Sequence, residues 1–460
     1  MTPAELRAAG RLGGAAFEGL VSRIEQVHRV ISGRAFGRAG PLSSAVQVVH
    51  DAVARRAYRA VGSAGAVVGA AAGNAASLAG DAGRPIDREP AGNLILAGLN
   101  AVAGDRLGTD LDPLGIRMAV RGGGCDVALT TDQIAAAFPE ATPRLAVFVH
   151  GLAETDDSWR RRSADSEPYG ERLRAEFGYT AIYLRYNTGR HVSDNGHDLA
   201  GLLADLVAAW PEDVQEILLV GHSMGGLVIR SACHYGRQAS ASWIEDVRHI
   251  FYLGSPHLGA PLARAAGRAG WALRLAPETR PFAAFAAGPS SVRDLRHGYL
   301  LDDDWVGCGP DCCLRDHRTD VPLLASASHY AISATITADP GSPFGAMIGD
   351  LLVQPASAHG RRGARQHVPF PVHLGRGLGG MHHFDLQPPG RLDCDRRSPP
   401  CGAGRALTST RRRPGYGRFR PSRSCAPTHS SATIADPSDS SPHSTVAATI
   451  SANLRTLPVP

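Results

Sequence analysis

Apolar positions along the chain fall into three regimes. In residues 1–112 they recur every three or four places: Phe17, Leu20, Ile24, Val27 and Ile31, then, past the break at Gly40 and Pro41, Leu42, Val46, Val49, Val53 and Ala57. This spacing predicts two amphipathic helices, each with one apolar stripe that needs a covering surface. From Gly115 the pattern is strand-like. Residues 116–120 alternate, and residues 145–149 (LAVFV) and 250–253 (IFYL) are unbroken apolar runs, as carried by strands buried on both faces. Residues 180–186 and 330–336 read as further strands, 187–196 as a polar loop and 199–210 as a helix. Past Leu386 the periodicity gives way to Pro, Arg, Ser and Thr, a composition that predicts a disordered tail over 387–460.

The sharpest local signal is EILLVGHSMGG at 216–226. Strand-forming residues run into Gly221, and a helical pattern follows in Leu227, Val228, Ile229 and Ala232. A bare G-x-S-x-G means little in a chain with 53 glycines. Framed by a strand and a helix, it predicts a tight turn that projects the hydroxyl of Ser223. Glycine is needed on both sides because a Cβ would clash across the bend. The helix starting behind the serine aims its N–H groups at any anion formed there, so Ser223 is a candidate acyl-transfer nucleophile.

Four further motifs stand in order around this one: VHGL at 149–152, LGSPHLGAP at 253–261, GDLLV at 349–353 and MHHFDL at 381–386. Together they resemble the α/β-hydrolase superfamily, and within it the bacterial serine esterase/lipase branch similar to GPI inositol-deacylases, over residues 115 to 386. The resemblance implies an α/β-hydrolase fold, a mostly parallel sheet with helices on both faces and a cap insertion, here preceded by an N-terminal helical segment. It also implies a triad in the order Ser, Asp, His: Ser223 as nucleophile, Asp350 as acid and His383 as base, with His382 the fallback and His367 and His373 the other contenders. The family's glycine after the acid is replaced by Leu351. The oxyanion hole would be the backbone N–H groups of Leu152 and Met224. His257 precedes any plausible acid and reads as a residue that structures its loop, and His191 and His197 read as surface histidines.

Residues 258–325 break the strand–helix rhythm and predict a cap, with Trp271, Phe282, Phe285 and Trp305 available to cover an apolar acyl or aryl substrate. Within it, Cys308, Cys312, Cys313 and His317 invite a zinc reading. Adjacent cysteines rarely share one tetrahedral ion and no second Cys/His pair follows, so thiols are preferred. No metal or organic cofactor is expected.

Charge refines the picture. All basic residues are arginine, which with abundant Ala and Gly suggests a GC-rich bacterial genome. Residues 387–460 hold eleven Arg and four Asp, so the body carries −2 of the chain's +5 and no nucleic-acid partner is expected. The N-terminus lacks the layout of a signal peptide, and residues 61–80 are uncharged but too rich in Ala and Gly to predict a membrane span. A cytoplasmic protein is expected, with membrane-surface contact through the N-terminal helices an option alongside their packing on each other or on the body. Arg55, Arg56 and Arg59 suit lipid headgroups or a solvated face equally.

The expected organisation is an N-terminal helical region (1–112), an α/β-hydrolase domain (113–386, cap 258–325) and a tail (387–460) that is either disordered or the product of a reading-frame shift. The expected function is a serine carboxylic-ester hydrolase acting on a small-molecule apolar or lipid ester. The alternatives are a non-catalytic membrane- or partner-binding module on the same fold, or an amidase or peptidase.

Overall fold

The computed structural model describes residues 1–39, 44–79, 85–88, 90–107, 113–162, 167–275, 277, 279–280, 283, 288–307, 316–362, 365–388, 391–392 and 442–455. Leu42, Phe282, Phe285, Cys308, Cys312 and Cys313 lie outside the described residues.

Eight strands among the described residues form the main sheet: β1 (Ala119–Gly122), β2 (Cys125–Val127), β3 (Arg144–Val149), β4 (Thr180–Arg185), β5 (Glu216–His222), β6 (Val247–Leu253), β7 (Ser328–Ala334) and β8 (Gly375–Leu378). Their spatial order is β8-β7-β6-β5-β3-β4-β1-β2. All neighbours are parallel except β1, which runs antiparallel to both β2 and β4. The unbroken apolar runs have the predicted cause, since successive residues of each central strand enter opposite cores. Leu145, Val147, Ile217, Leu219 and Ile250 face one core, and Ala146, Phe148, Leu218, Val220 and Phe251 face the other.

The helices are α1 (Pro3–Ala39), α2 (Ser44–Ala79), α3 (Pro90–Ala103), α4 (Thr131–Ala137), α5 (Tyr169–Phe177), α6 (Val192–Ala209), α7 (Met224–Gln238), α8 (Pro261–Ala272), α9 (Ser290–Asp294), α10 (Pro343–Ile348), α11 (Pro355–Ala358) and α12 (Pro442–Arg455). Helices α6 and α7 fill the first core and α5 and α12 the second. The N-terminal helices stand outside the sheet. Ala8 of α1 packs with Leu96 of α3, Leu114 and Ile116, and Asn100 fixes this junction, donating to the carbonyls of Leu96 and Leu114 and accepting from the Ile116 N–H, each at 2.9 Å.

Two expectations change. Helix α6 begins at Val192, where a polar loop was expected. Its start is fixed from the cap, more than a hundred residues away: buried Asp294 accepts from the Val192 N–H at 2.8 Å and pairs with His191 Nδ1 at 2.9 Å, while His191 stacks on Trp305 at 3.7 Å. His191 is therefore buried, contrary to the surface reading, whereas His197 is exposed. The second change concerns the tail. Gln387 is buried, and α12 docks Val446, Ala447 and Ile450 into the second core, with Arg455 paired to Glu176 of α5 at 2.7 Å. Where a disordered tail was expected, residues 442–455 thus form a helix packed on the second core. Val446, Ala447, Ile450 and Leu454 do recur at helical spacing, but small side chains and the Ser/Thr-rich surroundings dilute the signal.

Ile450 is 2% exposed. Ile450→Ala is expected to cost about 2 kcal/mol and to lower the melting temperature by about 4 °C. An unchanged melting curve would mean that α12 contributes nothing to the fold.

Candidate active site

The connections out of β3 define where a site can form. The chain leaves β3 to pair β4 on one side, then returns to place β5 on the other. At such a reversal the loops at the carboxyl ends of the two strands diverge and leave a crevice. Here those ends carry His150–Leu152 and Ser223.

Ser223 occupies the turn between β5 and α7 with φ 52° and ψ −122°, a region that non-glycine residues seldom enter. Its N–H donates to the Leu253 carbonyl at 2.8 Å, which pins the bend to β6. A Cβ on Gly221 would lie 2.6 Å from Gly226, and one on Gly225 would lie 2.3 Å from the Val149 carbonyl oxygen, so only glycine admits this turn. Ser223 is half-buried while its neighbours on both sides are buried. Met224 is the first residue of α7, so its N–H has no acceptor within the helix. A Cβ on Gly151 would sit 3.0 Å from the Ser223 Cβ, which brings the loop carrying Leu152 against the elbow.

The structure brings His383 and Asp350 together. The His383 Nδ1 lies 2.7 Å from Asp350 Oδ2, and the His383 N–H donates to the Asp350 carbonyl at 3.2 Å. Asp350 Oδ1 accepts from the N–H groups of Leu352 (3.0 Å) and Val353 (2.7 Å), so the carboxylate cannot rotate freely. The other imidazole nitrogen, Nε2, is buried and has no hydrogen-bond partner. His383 reaches the elbow through its neighbour: its carbonyl accepts from His222 Nε2 at 3.2 Å, and the two rings lie 4.7 Å apart. Tyr169 holds the turn by donating to the Leu386 carbonyl at 3.0 Å. Of the contenders, His382 and His373 are exposed and His367 is half-buried. His257 is fully buried between Tyr252 and Phe370, and burial, reinforced by Arg230, pushes its pKa well below the usual histidine range, leaving it neutral.

Leu351 has φ 83°. The turn after Asp350 demands a left-handed residue, and the leucine occupies it with its side chain exposed.

A buried ion pair next to the elbow escaped the sequence reading. Glu154 meets His222 Nδ1 at 2.9 Å and accepts from the Gly151 N–H and from Gln387 Nε2, both at 2.7 Å. Burial alone would raise the Glu154 pKa, but the charge of His222 and the hydrogen bonds of His222 and Gly151 outweigh it and hold it at about 2. Burial also works against the proton on His222, yet Glu154 raises its pKa above the usual value. The pair clamps the β3 loop, the elbow and the His383 turn together. His222 was visible inside the motif, but no spacing rule joins it to Glu154, 68 positions earlier.

Residues 142–268 match the family model of the PGAP1-like alpha/beta domain. The fold is that of an α/β-hydrolase. Among solved structures, the chain is similar to a Bacillus licheniformis lipase in mature form (20% identity, TM-score 0.34, covering 52% of this chain and 84% of that one). It is also similar to a metagenomic carboxyl esterase (18%, TM-score 0.30, 55% and 68%) and to a Pyrobaculum calidifontis esterase (15%, TM-score 0.30, 64% and 82%). At these scores the fold assignment rests on strand order and the elbow. No curated protein matches the chain.

The left-handed leucine and the buried ion pair each make a measurable difference to stability. Leu351→Gly is expected to stabilise the protein by about 1 kcal/mol in chemical denaturation, because it removes a left-handed leucine; destabilisation would mean that the side chain makes up for its backbone. The Glu154–His222 pair predicts stability lost on both flanks. Glu154, with its folded pKa lowered, gives stability above about pH 4.5 that disappears as pH falls toward about 2. His222, with its folded pKa raised, gives stability below about pH 6.5 that disappears as pH rises through the raised value. Glu154→Gln should flatten both flanks in melting curves taken across pH; unchanged slopes would contradict the pairing.

Proposed function

We propose that the protein is a serine carboxylic-ester hydrolase in which Ser223, His383 and Asp350 act as a triad. The observation that carries this reading is the buried His383–Asp350 pair at 2.7 Å, with the distal imidazole nitrogen unpartnered, linked through His222 to a serine in a strained elbow. Asp350 fixes the tautomer that leaves Nε2 as proton acceptor and stabilises the imidazolium. Ser223 Oγ attacks the ester carbonyl carbon as its proton passes to His383 Nε2. The N–H groups of Leu152 and Met224 hold the oxyanion. When the tetrahedral intermediate collapses, the alcohol leaves with the proton from His383, giving an acyl-serine. Water then attacks, its proton passes to His383, and the acid departs as Ser223 recovers a proton. No step calls for a metal or organic cofactor.

An apolar or lipid ester is the substrate class best suited to the surroundings. Phe384, directly after His383, is 54% exposed, and Leu351, directly after Asp350, is 58% exposed. Apolar side chains left in water beside a polar site suit an acyl chain better than a sugar or a phosphate.

Hydrolysis of p-nitrophenyl esters tests the reading. Ser223→Ala is expected to abolish turnover, and Asp350→Asn to lower kcat by about 10⁴-fold with the fold intact. Esters should be cleaved far faster than the matching anilides. Full activity of Ser223→Ala would end the proposal, and preference for anilides would turn it toward an amidase.

A further inference from the structure

We infer that the α1–α2 hairpin is a peripheral anchor that lies on an anionic lipid bilayer. The two helices, of 37 and 36 residues, run antiparallel with their backbones in contact. A Cβ on Gly10 would lie 2.5 Å from the Gly69 carbonyl oxygen, and one on Gly69 would lie 2.8 Å from the Gly14 Cα. Where Gly10, Gly14 and Gly69 meet, the backbones leave no room for large side chains between them. Toward the tip the seam is polar: His28 meets Tyr58 at 2.8 Å, and Ser32 donates to Asp51 at 3.2 Å. Large apolar residues stand outside instead, with Ile31, Val46, Val49, Val53, Val67 and Val68 between 56% and 67% exposed. Within Val46–Leu78, the most apolar 18 residues have a mean hydropathy of 1.2, and only 17% of them are buried. Val21, buried at Gly62, and Phe17, against Gly65, are bulky apolar side chains at the seam; a hairpin that otherwise packs glycine and polar groups within and leaves bulky apolar groups without is arranged for a lipid surface and not for water.

Charge selects the occupant. Residues 20–60, the distal half of the hairpin, hold seven Arg against Glu25 and Asp51, whereas residues 1–19 hold two of each sign. Arg55, Arg56 and Arg59 are all exposed beside the apolar stripe. A net +5 at the tip repels a second copy of the same tip and attracts anionic headgroups. Arg7, Arg11 and Glu18 in α1 argue for lying in the interface over crossing it. This inference is independent of the ester chemistry.

The test is co-sedimentation of the full chain with vesicles of phosphatidylcholine alone or mixed with phosphatidylglycerol, at low and high salt. Binding is expected to the mixed vesicles and should weaken with salt. Replacing Arg55, Arg56 and Arg59 with Gln should reduce partitioning on the order of a hundredfold. Val49→Asp with Val53→Asp should reduce it too, with circular dichroism confirming helix content; should that variant misfold, the arginine variant carries the test alone. Equal binding to both vesicle types, no binding by the folded chain, or an arginine variant that binds like the parent would overturn the inference. So would a dimer in sedimentation analysis that the valine variant dissociates, which would assign the surface to a second copy.

Discussion

The left-handed serine at the end of β5 is the constraint to which the rest of the domain is fitted. A residue at φ 52° is held there only if its surroundings leave no alternative. Here the Leu253 carbonyl takes its N–H, and two glycines permit backbone contacts that any Cβ would block. The reversal of winding order at β3 then opens a crevice at the carboxyl ends of the strands, where that serine sits. Around it, the Glu154–His222 pair joins three segments far apart in sequence, so that the elbow, the β3 loop and the His383 turn hold one geometry.

The central strands were legible because burial on both faces leaves unbroken apolar runs. The elbow was legible because a strained turn restricts its residue types to a recognisable string. Elsewhere the determinants are non-local. The start of α6 depends on Asp294 in the cap, so the local composition of 187–196 suggested a loop. Helix α12 was hidden by small side chains in a polar stretch, and it becomes a helix through the apolar face offered by the second core. The choice of His383 over His382 came from the family resemblance, and burial now separates the two neighbours. Glu154 carried no signal of its own, since a carboxylate becomes an ion-pair partner only once folding brings His222 beside it.

Two parts of the molecule thus follow opposite rules. The α/β body buries its large apolar residues in two cores on either side of the sheet. The N-terminal hairpin packs glycine, polar groups and Val21 along its seam and leaves most of its valines and Ile31 outside. An anionic lipid surface, as inferred for the hairpin, would reconcile the two and suits the concentration of arginine at its tip.

Reaction with a fluorophosphonate probe bears on the proposed chemistry in a single step, because phosphonylation needs an activated serine but no turnover. Mass spectrometry of the labelled chain should find the adduct on Ser223, with labelling lost in His383→Ala and kept in His382→Ala. An adduct on another residue, or labelling that survives in His383→Ala, would contradict a buried imidazole that activates the serine.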